Sequence, residues 1–120
     1  MKKSKIGHRG ENQAIRYLED LGWEILARNW RSGRREIDII ARDGDQLVFL
    51  EVKTRRSTLR GHPIEYIDAR KQEFMVEAAT QYLAQAGWDG EFRFDLIGIV
   101  DHPQPPTEIT HVRDAFFPFF

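Results

Sequence analysis

The chain has 120 residues, which fits one domain able to bury its own core. Hydrophobic residues make up 41% and charged residues 31%, and the absence of cysteine excludes disulfide scaffolds and thiolate metal sites. No apolar run approaches the ~20 residues of a membrane helix, and no apolar signal core follows Lys2, Lys3 and Lys5, so a cytoplasmic protein without membrane contact is expected.

Net charge is -1, so nothing global marks a nucleic-acid binder, but the charges are unevenly placed. Residues 1–60 carry an excess of Lys and Arg, residues 61–120 an excess of Asp and Glu. A basic half can offer a phosphate-binding face on a neutral molecule, and an ordinary solvated surface is the plainer alternative.

In chain order, Ala14, Ile15, Leu18 and Leu21 recur at helical spacing and predict a helix over 8–21, closed by Gly22. Residues 23–31 read as a strand, with Trp23, Ile25 and Trp30 as apolar points, followed by a turn at Arg31-Ser32-Gly33. Residues 35–41 and 46–54 are apolar runs around Arg42-Asp43-Gly44-Asp45, a strong hairpin signal. Apolar residues at successive positions of both runs place these strands centrally, covered by helices on both sides.

Residues 55–63 are basic and broken by Gly61 and Pro63, and read as a loop. Residues 64–86 predict a long helix with Ile67, Phe74, Ala78, Tyr82 and Ala86 in one stripe and Gly87 at its end. A strand follows at 92–100, a proline-rich turn at 102–106 and a short edge strand at 108–113. Phe116, Phe117, Phe119 and Phe120 form an aromatic tail that packs back on the domain or meets a partner. The order αβββαβ, with one further strand, predicts a single α/β domain over 1–120: a mixed central sheet flanked by helices.

Four charged residues stand on the central hairpin: Glu36, Asp38, Glu51 and Lys53. Charge on a doubly buried strand is costly unless paired or bound to metal. A two-residue Asp43-Gly44 turn pairs Arg42 with Asp45 and sets Asp38 opposite Phe49, diagonal to Glu51 and roughly 7–8 Å from it. All four then share a face, because side chains alternate with period two. Two carboxylates so placed can hold Mg2+ or Mn2+, with the Val52 carbonyl as a further ligand. Lys53 can hold a water or steady charge on phosphate. The competing reading is an internal salt-bridge network on an exposed edge, which strands this apolar do not favour.

Glu11 falls on the apolar face of the first helix with Ala14, Ile15 and Leu18, which is anomalous unless it reaches the sheet as another metal ligand. Lys71 falls in the stripe of the second helix. There the simpler reading is a lysine stem lying on apolar surface, and a nucleic-acid contact is the other.

At these residues the chain resembles the YraN-like family of uncharacterised bacterial proteins, related to restriction-endonuclease-like nucleases and archaeal Holliday-junction resolvases. The resemblance covers about residues 7–116. It rests on Gly7-His8-Arg9-Gly10-Glu11 with Ala14, Glu36-Ile37-Asp38-Ile39-Ile40, Leu47 to Arg55, Lys71, Arg93-Phe94-Asp95 and Ala115-Phe116. It implies a restriction-endonuclease-like core. Asp38 and Glu51-Val52-Lys53 match the superfamily's Asp and Glu-x-Lys nuclease signature. The family usually has glycine just before its Glu-Ile-Asp; here Arg35 stands there, with Gly33 two residues earlier.

The expected function is divalent-metal-assisted phosphodiester hydrolysis. Asp38 and Glu51, with Glu11, hold the metal, Lys53 acts on nucleophile or transition state, and Arg34, Arg35, Arg55 and Arg56 grip phosphates. DNA is the favoured partner over RNA, and resolvase relatives imply a homodimer. The alternatives are a nucleic-acid-binding module without catalysis and a scaffold docking through its aromatic tail. His8, His62, His102 and His111 lack metal-ligand spacing.

Overall fold

The computed structural model describes residues 5–56, 67–101 and 107–116. The expected turn at 102–106, most of the basic loop, the first residues of the expected second helix and Phe117 to Phe120 lie outside them. The elements run α1 (Lys5–Asp20), β1 (Glu24–Ser32), β2 (Arg35–Asp43), β3 (Gln46–Arg55), α2 (Ala69–Ala86), β4 (Phe92–Val100) and β5 (Glu108–Phe116). The five strands form one mixed sheet in sequence order. Neighbours are antiparallel except β3 and β4, which run parallel with α2 as the crossover between them. No helix of the described residues is long and apolar enough to cross a membrane.

The helices cover opposite faces. Ala14 and Leu18 of α1 pack with Ile39, Ala41, Val48, Leu50, Ile97 and Ile99. Met75, Ala78 and Ala79 of α2 pack with Ile37, Ile40, Leu47, Phe49 and Phe94. The continuous apolar runs of β3 and β4 follow from this, since neither strand has a wet side. Each large side chain so buried contributes about 1.5–3 kcal/mol.

Helix ends are set locally. After α1 the chain turns left-handed at Gly22 (φ 88°), and Trp23 N–H donates back to the Leu18 carbonyl at 3.0 Å. Gly87 closes α2 in the same way, with Trp88 N–H on the Leu83 carbonyl at 3.0 Å. The start of α2 differs from expectation. Asp68 caps it, accepting the Lys71 N–H at 2.7 Å, so Ile67 precedes the helix. Its buried stripe is accordingly Met75, Ala78 and Ala79, while Phe74 lies under Arg35 and Ala86 is exposed.

The final strand is longer than expected, reaching Phe116, whose ring stacks on Phe94 at 4.8 Å. That residue of the aromatic tail packs on the domain.

Tyr82 on α2 edges against Trp30 and Phe49, with centroids 5.3 and 6.0 Å away. Burial raises its phenol pKa above the usual value. The unfolded chain therefore releases this proton first, so stability falls as pH climbs beyond about 10. Melting temperatures at pH 8 and pH 10.5 should show a larger drop for the wild type than for Tyr82→Phe.

Candidate functional site

The hairpin of β2 and β3 turns on Gly44-Asp45, with Gly44 left-handed at φ 62° and Asp43 paired with Gln46. This is one residue later than the expected Asp43-Gly44 turn. Asp43 stays in the strand, where its Oδ2 meets Arg93 Nη2 at 3.1 Å, and Arg42 Nε donates to the Gly44 carbonyl at 2.8 Å. The turn still has two residues, so the pleat parity is kept while the register slides. Asp38, expected opposite Phe49, now follows the last pair, Ile39 with Leu50, on the rung that faces Glu51.

The ladder stops there because β3 continues along β4 as far as Arg55 with Val100, while β2 pairs on with β1. At the fork Asp38 Oδ2 accepts the Val52 N–H at 2.8 Å, standing in for a backbone carbonyl. Asp38 is 6% and Glu51 9% exposed, so both acids are buried within one rung of each other. Glu51 Oε2 lies 3.5 Å from Lys71 Nζ. The lysine at the start of α2 thus faces the acid, and its side chain is over a third exposed. Lys53 follows two residues along β3, half-buried, beside Gly98 of β4.

Glu11 is 1% exposed and lies on the other helix, its Oε1 3.6 Å from Arg28 Nη2 of β1. Among the described residues no three His, Asp or Glu side chains are grouped so as to hold a metal ion. The register sets Asp38 and Glu51 on facing positions of β2 and β3, and Glu11 is not joined to them in one cluster. The hard oxygen donors of the pair suit Mg2+ or Mn2+.

The arginines divide. Arg35 donates to Glu77 of α2 at 2.8 Å, and its guanidinium sits 3.6 Å over the Phe74 ring. It ties the start of β2 to α2, a use that the sequence did not signal. Arg34 is exposed in the Gly33-Arg34 turn between β1 and β2, and Arg55 and Arg56 are exposed at the end of β3. Gly33, left-handed at φ 61°, serves that turn, so Arg35 already belongs to the strand.

A second polar cluster escaped the sequence reading. Asp95, fully buried on β4, accepts from Arg93 Nε at 3.0 Å, bonds His111 Nε2 at 2.7 Å and accepts the Asp114 N–H at 3.1 Å. His111 Nδ1 pairs with Tyr17 OH at 3.1 Å. Burial opposes the charge of Arg93, but hydrogen bonds and charge from Asp95 and Asp43 outweigh it, so its pKa is raised. Arg93 also bonds Gln46. The cluster ties β5 to β4 at the irregular pairing between Phe94 and Leu96. Charged residues within an otherwise apolar strand were its available signal.

Gly10 sets how closely α1 approaches β3. A Cβ there would fall 2.0 Å from Thr54 Oγ1 and 3.1 Å from its Cβ. Gly10→Ala gains up to about 1 kcal/mol of helix propensity, but overpacking against a stiff β-branched residue costs about 1–3 kcal/mol. Denaturant unfolding should show a net loss, and adding Thr54→Ala should recover most of it.

The profile of the Uncharacterised protein family UPF0102 matches residues 10–99. A UPF0102 protein of Rhodococcus jostii is 45% identical over 113 residues, covering 92% of this chain and 95% of that one. One of Chlorobium phaeobacteroides is 46% identical over 117 residues, covering 92% and 93%. Among solved structures, Hjc of Archaeoglobus fulgidus, a Holliday junction resolvase, matches with a TM-score of 0.48 and 20% identity over 86% of this chain and 74% of that one. With the family profile spanning most of the chain and relatives aligned nearly end to end, this chain belongs to the uncharacterised protein family UPF0102.

Proposed function

We propose that this protein is a cytoplasmic divalent-metal-dependent nuclease that hydrolyses nucleic-acid phosphodiester bonds, DNA in preference to RNA. The observation that carries the reading is the fork of β2 and β3, which buries Asp38 across from Glu51 with Lys53 two residues beyond. Two buried carboxylates on facing positions favour positive charge between them, and Lys71 beside Glu51 is in keeping with that demand. The Asp and Glu-x-Lys order that the sequence shares with restriction-endonuclease-like nucleases supports the same assignment.

Asp38 and Glu51 would hold Mg2+ or Mn2+, with Glu11 as a further ligand if α1 and the sheet close on the ion. Bound there, the metal supplies a more acidic water and a polarised phosphate. The Val52 amide fixes the Asp38 carboxylate through its hydrogen bond, so one ligand is set before binding. Lys53 places an ammonium where negative charge grows on the phosphate as a water oxygen bonds to phosphorus and the ester P–O bond breaks. Arg34, Arg55 and Arg56 grip backbone phosphates without reading sequence, while Arg35 braces β2 against α2.

The test is cleavage of branched, single-stranded and duplex DNA, and of RNA, with Mg2+ or Mn2+. Glu51→Ala and Lys53→Ala should each lower the rate by about 10²-fold or more with the melting temperature little changed. Activity that survives both would overturn the proposal. Binding without cleavage under either metal would instead favour a non-catalytic module, in which Lys71 and Arg28 serve Glu51 and Glu11 as permanent counter-ions. Replacing Arg34, Arg55 and Arg56 together with alanine should weaken binding to all sequences alike. It should also flatten the plot of log K against log salt by about one unit per lost contact.

A further inference from the structure

A regular strand returns to the same face every second residue, and β1 and β2 both break this rule at one rung. Arg28 reaches Glu11 of α1, yet Trp30, two residues on, edges against Tyr82 of α2. On the partner strand Ile39 belongs to the layer under α1 and Ile37 to the layer under α2. The pairs Arg28 with Ile39 and Trp30 with Ile37 keep one register, and the rung between them, Asn29 with Asp38, is missing from the ladder. Asn29 is left-handed there at φ 50°. Its Oδ1 is buried and accepts no hydrogen bond from the described residues. The usual local reward for asparagine in this region, a side-chain bond to backbone, is thus not taken through that oxygen. Strain of this kind persists only where the surroundings impose it, and it gathers at functional sites.

We infer that Asn29 is a positioning residue. Its left-handed backbone turns the β1–β2 pair over at this rung, and that turn brings the Asp38 carboxylate out of the pleat and onto the Val52 N–H. The carboxyl group of Asp38, two bonds from its backbone, would otherwise stand on one face of a continuous sheet, away from the strand plane in which the Val52 N–H points. The same reversal lets β1 present Arg28 to Glu11 and Trp30 to α2 from neighbouring positions. The effect on a bound cation rests on the cation-site reading above; the effect on Val52 does not.

The experiment compares Asn29→Gly, which adopts the left-handed region freely, with Asn29→Val, whose β-branch disfavours it. Amide hydrogen exchange is read at Val52 and at Leu50, which lies on the regular rung with Ile39. Asn29→Val should speed exchange at Val52 at least tenfold relative to Leu50, and Asn29→Gly should leave it as in the wild type. In calorimetric titration with Mn2+, Asn29→Val should weaken binding at least tenfold while Asn29→Gly does not. Val52 protection unchanged in Asn29→Val, or lost equally in Asn29→Gly, would overturn the inference. If Asn29→Val does not fold, Asn29→Ala is read by the same criteria. The expected exchange pattern in a wild type that binds no Mn2+ would uphold the role of Asn29 and sink the cation site instead.

Discussion

Antiparallel strands satisfy each other rung by rung, and β2 and β3 stop doing so after Ile39 and Leu50. A strand that parts from its neighbour inside a protein leaves backbone donors facing no partner, and a buried donor without one costs about 1–3 kcal/mol. The side chain of Asp38 meets that need at Val52. A short acceptor at this position stabilises the fork, so the acid serves the fold as well as any chemistry. The rest of the site follows from the fork: Glu51 falls opposite Asp38, and Lys53 follows where β3 runs on along β4 alone.

Buried charge is handled in two ways in this molecule. Around Asp95 the contacts are directional hydrogen bonds of 2.7 to 3.4 Å, and the carboxylate is shared among a guanidinium, an imidazole and a backbone amide. Such a cluster is built to stay as it is, and it fastens the last strand to the sheet. Around Glu51 and Glu11 the cations stand off at 3.5 and 3.6 Å and come from long side chains that are more than a third exposed. Lys71 and Arg28 can swing away, at little cost, when a stronger cation arrives.

Two close contacts hold this geometry from outside. Gly10 lets α1 settle against Thr54, which fixes the depth of Glu11 beside it. Arg35, clasped by Glu77 and Phe74, pins the start of β2 to α2 on the opposite face. Both lie within a few residues of the acids in sequence, so packing errors at either would reach the site directly.

Much was readable from the chain alone. The period-two apolar runs, the Asp-Gly signal and the acids on buried strands pointed to the hairpin, to its central position and to Asp38 as a diagonal neighbour of Glu51, one step from the rung on which the structure sets them. These are local or pattern-borne properties, and a two-residue slide of register leaves parity intact. What tertiary structure decided was everything that depends on which long side chains meet. Arg93 holds Asp43 in the strand, and the turn falls one residue later; Phe74 and Glu77 engage the Arg35 guanidinium; Asp68 starts α2 later and its buried stripe shifts with it. Partners far apart in sequence carry no periodic signal, because each contact exists only once the sheet has brought the two segments together. The left-handed turn at Asn29 belongs to the same class, since its surroundings impose it while its own side-chain oxygen accepts no hydrogen bond from the described residues.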